Sequence, residues 1–471
     1  MSRDHHGPLV YDFEFKPEHF ARRCQFVTRQ SHDFAGQPFY CRYDRVSTSF
    51  SRTLAPELQD LIEIAIASYL ADRFAPRRHP ERSEQSAPIS RRIRLSMPVR
   101  LPQLWKKRPA ELLRDLMFFL AADEWEFEFT RPAAESTQPQ QSYLLDVSPE
   151  REASVMLFSG GLDSYAGAVQ QLRDAEQFHV LVSGYTHNRM AAEQAAQSKI
   201  LFEGRRELGH HIAVPYGMPS KIAGIRLESS QRARGLVHLS IGALTALSLG
   251  KRCFSIYENG IGALNLPFDA SQSGWEISRA VHPKTLGLME ELVSEITGAP
   301  FQIPTPFLFS TKAESLAGTE MVHYRHGISR TFSCDRFPNY RERRRQCGTC
   351  SSCVLRRLAL ETAGLTDAEP LAEYAYDISA RDFVPNPNAA FVLDKFDAQS
   401  YRIRQCLDSE HPWLEFTRLF PELREVEFLL TKRQTGFADA EGRLLSLYAR
   451  HVDEWNKFSG RTALQRYIYA A

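Results

Sequence analysis

The chain has 471 residues, 43% hydrophobic and 24% charged, with a net charge of +1. That composition is ordinary for a globular protein of about two to four domains by length, and it excludes a global electrostatic pull toward nucleic acid or membrane. The polar start Met1–Pro8 has no signal-peptide apolar region, and the longest apolar helix candidate, Leu236–Leu249, is too short for a bilayer and contains His238, so a cytoplasmic chain is expected.

Residues 1–150 read as a separate α+β unit. Leu9–Phe15 alternates as a strand does, and Gln37–Tyr43 is a second strand candidate. Pro56–Phe74 has helical spacing, with Leu58, Leu61, Ile62, Ala65, Ile66 and Tyr69 on one side. Ala75–Pro88 is polar, carries prolines and reads as a loop. Ile93–Val99 alternates, Pro109–Leu120 is a helix candidate, Glu124–Thr130 alternates clearly, and Arg131–Ser142 reads as a linker.

From Ser154 the pattern becomes strand–helix repetition, with strands expected at 154–158, 178–184, 210–214 and 253–257 and helices at 163–174, 190–208 and 235–250. Such alternation predicts a parallel sheet with helices on both faces and ligands at the carboxyl ends of its strands. The stretch Ser159-Gly160-Gly161-Leu162-Asp163-Ser164 falls at such an end. Glycines let the backbone approach a phosphate, N–H groups and serine hydroxyls donate to it, and the helix dipole favours its charge. No lysine follows, as the common G-x-x-x-x-G-K-[ST] loop requires. Asp163 is suited to hold magnesium beside phosphates.

Eight cysteines are few for this length, and four of them, Cys334, Cys347, Cys350 and Cys353, cluster. With no export signal, reduced thiols are expected rather than a disulfide framework. Two-residue spacers within Cys347–Cys353 let thiolates converge, and four sulfurs satisfy zinc without an open position; an iron–sulfur cluster takes the same ligands. The run Tyr340–Arg345 reads as a solvated loop or, alternatively, as a nucleic-acid contact. Arg356 or Arg357 would offset the negative charge of a zinc–tetrathiolate. From about Pro370 the chain is polar and helix-rich.

Ser159–Ser164 resembles the PP-loop of ATP pyrophosphatases. Together with Ser333-Cys334 and the run Cys347-Gly348-Thr349-Cys350-Ser351-Ser352-Cys353 leading to Arg356, it resembles the 7-cyano-7-deazaguanine synthase family of queuosine biosynthesis. Pro304–Phe307, Thr311–Glu314 and Gln231–Gly235 are similar to further family segments. The enlarged layout, with Trp125–Phe129 and Glu258–Gly260, resembles the members found in bacterial antiphage cassettes. Two places depart from the biosynthetic members: Glu258–Pro267 stands where they carry a Tyr-Pro-Asp-Cys-Arg-like segment, and Tyr185–Asn188 where they carry Tyr-Gly-Gln.

The resemblance implies an α/β PP-loop core at 151–365, with a zinc knuckle at 331–357, an α+β extension at 1–150 and a helical one at 366–471. It implies ATP, magnesium and zinc as cofactors and a deazapurine acid as substrate. Ser159, Gly160, Gly161, Leu162, Asp163 and Ser164 would hold the nucleotide, with Arg232 and Arg234 as partners for its phosphates or the substrate carboxylate. Asp163, Ser164 and Lys312 would serve catalysis, and Glu258, Asn259, Arg279 and His282 would contact substrate. The function it implies is an ATP-dependent, AMP-forming ligase that adenylates the acid and transfers the acyl group to an amine, ammonia giving the amide or nitrile. The alternatives are conjugation to a protein or nucleic acid, a thiolation enzyme, for whose catalytic cysteine Cys253 at a strand start is not obviously placed, and a non-catalytic zinc-knuckle nucleic-acid adaptor. Other defence proteins are candidate partners for the two extensions, and no membrane partner is expected.

Overall fold

The computed structural model describes residues 9–19, 23–28, 39–50, 53–77, 91–132, 152–174, 176–219, 227–268, 278–338, 345–380, 383–432 and 439–461. Most of the expected loop at 75–88 and of the linker at 131–142, and the arginine run up to residue 344, lie outside them.

The first region holds β1 (Leu9–His19), β2 (Arg23–Thr28), β3 (Tyr40–Cys41), α1 (Asp44–Phe50), α2 (Pro56–Phe74), β4 (Arg91–Pro98), α3 (Arg108–Ala121) and β5 (Glu124–Thr130). Its sheet runs β2-β1-β4-β5, with β1, β4 and β5 parallel and β2 antiparallel. Period-two alternation sends Phe13, Phe15, Ile93, Leu95, Met97 and Trp125 inward. On the outer face Arg94 Nε pairs with Glu126 across the strands at 2.8 Å.

The second region holds β6 (Ala153–Leu157), α4 (Leu162–Gln171), β7 (Phe178–Tyr185), α5 (Asn188–Leu201), β8 (Gly209–Gly217), α6 (Arg234–Ser248), α7 (Gly260–Leu264), α8 (Pro283–Thr297), α9 (Thr319–Tyr324) and α10 (Ser351–Thr362). β6, β7 and β8 are parallel, as expected, in the order β3-β8-β7-β6. Successive residues serve opposite faces: Val155, Val180 and Val182 join one core with α6, and Met156 and Leu181 join the other with α4. A sheet covered on both faces therefore reads as a nearly continuous apolar run.

Three expectations change. The strand at 253–257 is reduced to isolated parallel bridges, Met156 to Ser255 and Cys253 to Gln302. The helix expected at 190–208 stops at Leu201; a short 3₁₀ turn, Arg206–Leu208, leads into β8. And α2 is not one-sided: Asp60 and Asp72 are as buried as Ile62. It lies between β4 and α6, and its acidic face is covered because Arg100 and Arg91 pair with it.

The first region shares one hydrophobic core with the parallel sheet. β3 pairs antiparallel with β8, so the first region supplies an edge strand to the second region's sheet. The last region, α11 (Pro387–Leu407), α12 (Pro412–Leu419), α13 (Glu422–Lys432) and α14 (Ala440–Arg461), is helical as expected. Its core takes in Ala263, Leu264, Leu266 and Leu308 of the second region. No helix among the described residues is long and apolar enough to cross a membrane.

Candidate active site

Ser159–Ser164 turns from the carboxyl end of β6 into α4, whose N-cap is Gly161 with no side-chain cap. The free N–H groups of that first turn face the place where a helix favours an anion. Gly160 has φ +84°, and a Cβ there would lie 2.7 Å from the Phe332 ring, so only glycine fits. The loop is held from behind. Gln194 donates to Ser159 O at 2.9 Å, and Gln197 donates to Gly160 O at 3.0 Å and to Arg330 O at 2.9 Å. Phe332 N–H donates to Gly160 O at 3.0 Å. Within the loop, Ser159 Oγ and Ser164 Oγ lie 3.0 Å apart and Gly161 N–H donates to Ser159 Oγ at 3.2 Å.

The opposite wall is assembled from distant sequence. Lys312 Nζ pairs with Asp163 Oδ2. Asn259 Nδ2 donates to Asp163 Oδ1 at 3.1 Å and to Glu258 Oε1 at 3.0 Å, while its own Oδ1 caps α7 by accepting from Gly262 N–H at 3.1 Å. Desolvation and then the Asp163 charge push the Glu258 carboxyl up to about 8, against the pull of Lys312. Asp163 thus takes the ammonium, and Glu258 stands near enough to feel both charges.

These groups line a cavity of about 540 Å³. Ser159, Asp163, Ser164, Glu258, Asn259 and Lys312 line one part, and Phe396, Gln399 and Tyr448 of the last region another. No cysteine is among its lining residues. Cys253, which its strand-start position does not favour for thiolation, is exposed and lies elsewhere.

Beside the cavity, the Sγ atoms of Cys334, Cys347, Cys350 and Cys353 lie within 4.8 Å of one another. Thiolates on a single tetrahedral ion converge this closely, whereas a cluster with one thiolate on each iron holds them further apart. The four residues therefore fit zinc. Gly348, at φ +85°, makes the turn possible, since a Cβ there would collide with Tyr376 O. Cys347 Sγ accepts from Cys350 N–H at 3.3 Å, a contact that would favour its thiolate form. Arg356 is buried, but its partner is Glu369 at 2.8 Å rather than the thiolates alone. Arg345, the described end of the arginine run, is bridged to Glu193 at 2.9 Å and Glu373 at 2.7 Å.

Four expected site residues lie apart from the cavity's described lining. Burial and then Arg77 lower the Arg232 guanidinium to about 10, and the acids near it are Asp72 and Asp123 of the first region. Arg234 faces Tyr69, Tyr216 and His238. The Arg279 guanidinium stands 4.6 Å over the Phe119 ring. His282 Nδ1 caps α8, accepting from Lys284 N–H at 3.2 Å, and burial with the neighbouring Arg279 lowers its imidazole to about 3.

Sequence reasoning missed Gln194 and Gln197, whose signal is a three-residue spacing that puts two amides on one helix face. Phe332, Phe396, Gln399 and Tyr448 carry no local signal.

A phosphate cradle at the carboxyl edge of a parallel sheet, braced by a four-cysteine knuckle, belongs to the PP-loop class of ATP-using enzymes. The family described as "Queuosine biosynthesis protein QueC" matches residues 280–364, which include Lys312 and the knuckle. A 7-cyano-7-deazaguanine synthase of Erythrobacter litoralis is 28% identical over 233 residues, 46% of this chain and 91% of the relative. One from Anaeromyxobacter sp. is 30% identical over 239 residues, 45% of this chain and 94% of the relative. The chain belongs to the 7-cyano-7-deazaguanine synthase family, and it is an enzyme of the ATP-dependent carbon–nitrogen ligase type.

Proposed function

We propose that this chain adenylates the carboxylate of a 7-carboxy-7-deazaguanine-like acid and transfers the acyl group to an amine. A carboxylate is a poor electrophile because its leaving group is oxide. Attack of its oxygen on the α-phosphorus of ATP forms an acyl-adenylate and releases pyrophosphate. Ammonia then displaces AMP to give the amide, and a second adenylation at the amide oxygen followed by loss of AMP gives the nitrile. The names of the two relatives support the nitrile as product.

The observation that carries the reading is the grip of Lys312 and Asn259 on Asp163 at the mouth of the glycine loop. The loop N–H groups and the Ser159 and Ser164 hydroxyls would exchange their mutual hydrogen bonds for pyrophosphate oxygens. Asp163 and Glu258 offer the oxygen ligands that magnesium takes, and the ion would neutralise charge on the leaving phosphates. Zinc in the knuckle would be structural, with no position left for substrate.

Assignment of the acid-binding groups to Glu258 and Asn259, the division at residues 150 and 365, and a setting in antiphage defence belong to the same proposal. The defence reading is supported by the extended layout, not by the site chemistry. Purified chain, ATP, magnesium, ammonium and 7-carboxy-7-deazaguanine are expected to yield pyrophosphate, AMP and the amide or nitrile by mass. Asp163→Ala is expected to lower turnover by at least about 10²-fold while leaving the fold intact. Full activity in that variant would sink the assignment. A product mass found only on an added protein or nucleic acid would move the acceptor from ammonia to a macromolecule.

A further inference from the structure

Helix α14 runs past the loop that carries Lys312, and one stripe of its side chains grips that loop. Arg443, Leu447, Arg450 and Glu454 recur at intervals of four, three and four residues, which places them on one helix face. The Arg443 guanidinium lies 3.8 Å from the Phe309 ring centroid. Leu447 sits against Gly260, next to Asn259. Arg450 Nη2 donates to Phe309 O at 2.8 Å, and its Nε lies 2.7 Å from Glu314 Oε1. Thr311 Oγ1 donates to Glu454 Oε1 at 2.6 Å, and Thr311 is fully buried. Glu314 closes the turn: its Oε2 accepts from Thr311 N–H at 2.8 Å, and its own N–H donates to Thr311 Oγ1 at 3.2 Å. Lys312 therefore follows directly on a residue held at both backbone and side chain.

Glu454 Oε2 is buried without a hydrogen-bond partner. Burying that oxygen unpartnered costs free energy, which the hydrogen bond from Thr311 to the other oxygen offsets in part.

The geometry points to Glu454 and Arg450 as positioning residues for Lys312, so that the last helix of the chain aims the ammonium that meets Asp163. Both lie beyond the 280–364 stretch that the family matches. The inference rests on the role proposed above for Lys312.

ATP–pyrophosphate exchange with 7-carboxy-7-deazaguanine, measured on the full chain, tests it. Glu454→Leu is expected to lower kcat about 10- to 100-fold with the KM for ATP held within about threefold, because misaiming a group costs turnover more than binding. Glu454→Gln keeps an acceptor for Thr311 and is expected to stay within about threefold of the unaltered chain. Thr311→Val breaks the same bond from the loop side and carries the test alone if the melting midpoint shows Glu454→Leu to be unfolded. A second readout needs no substrate: released from its ion pair, Lys312 should react faster with acetic anhydride, as read by peptide mass. A folded Glu454→Leu or Thr311→Val chain with unaltered kcat and unaltered Lys312 reactivity overturns the inference, as does a Glu454→Gln chain as impaired as Glu454→Leu. Full exchange in Lys312→Ala would instead overturn the role assigned to Lys312, whatever the Glu454 variants do.

Discussion

Among the described residues, two of the buried groups of charges are built in opposite ways. The first joins the N-terminal region to α6. Arg91 Nη2 meets Asp72 and Asp123, each at 2.6 Å, and Arg77 meets Asp123 at 2.7 Å. Asp72 also accepts from Ala233 N–H at 3.1 Å and Glu228 from Arg77 N–H at 2.7 Å. Burial opposes the charge on Arg91, but Asp72 and Asp123 outweigh it and hold the guanidinium above its ordinary value. The second group is Asp163, Glu258, Asn259 and Lys312, where two carboxyl groups have one ammonium between them and face a cavity. With Arg232 beside Asp72 and Asp123, three guanidinium groups meet three carboxylates, and such a charge-matched cluster is a buttress. A cluster short of positive charge, with room beside it, is where a cation or a cationic transition state gains most.

The contrast can be broken most severely in the buttress. Arg91→Met leaves two buried carboxylates short of a partner and is expected to cost about 3–5 kcal/mol of stability by denaturant unfolding. Exchange activity per folded molecule should change little; a variant that loses activity but not stability would make the buttress part of the site. Glu258→Gln sharpens the other side through pH. A carboxyl raised to about 8 in the folded chain contributes stability that is fully present below its unfolded value near 4.5 and is lost as pH rises through 8. Unfolding curves of the unaltered chain should therefore fall relative to Glu258→Gln between about pH 4.5 and 8, and parallel curves would refute a Glu258 carboxyl raised by burial and by Asp163. The smallest effect is expected from ligand. ATP with magnesium at about 100 times its dissociation constant should stabilise the unaltered chain by about 2.7 kcal/mol. Asp163→Ala should show less, and Arg91→Met the same increment on a lower base.

Legibility follows chain separation. Ser159–Ser164 and Cys347–Cys353 are contiguous, so the residues that act together are already neighbours in the sequence, and strand–loop–helix order alone places the first at a sheet edge. Arg232 shows where that ends. Its loop reads as phosphate-binding, yet the arginine lies near Asp72 and Asp123, acids supplied by the first 150 residues. His282 likewise reads as a candidate ligand and is a helix cap. The polar face of α2 has no explanation in its own periodicity, because Asp60 is satisfied by Arg100 and the backbone of Leu101.

The sequence by itself determined the chemistry: a phosphate cradle, a four-thiolate metal site and an α/β core to carry them. Short covalent spacing enforces those arrangements wherever the chain folds. Only the tertiary structure decided that Lys312 reaches Asp163, that Asn259 joins Asp163 to Glu258, and that α11 and α14 wall the cavity. Those pairings join residues about a hundred or more positions apart, and packing of whole elements, not local spacing, brings them within bonding distance.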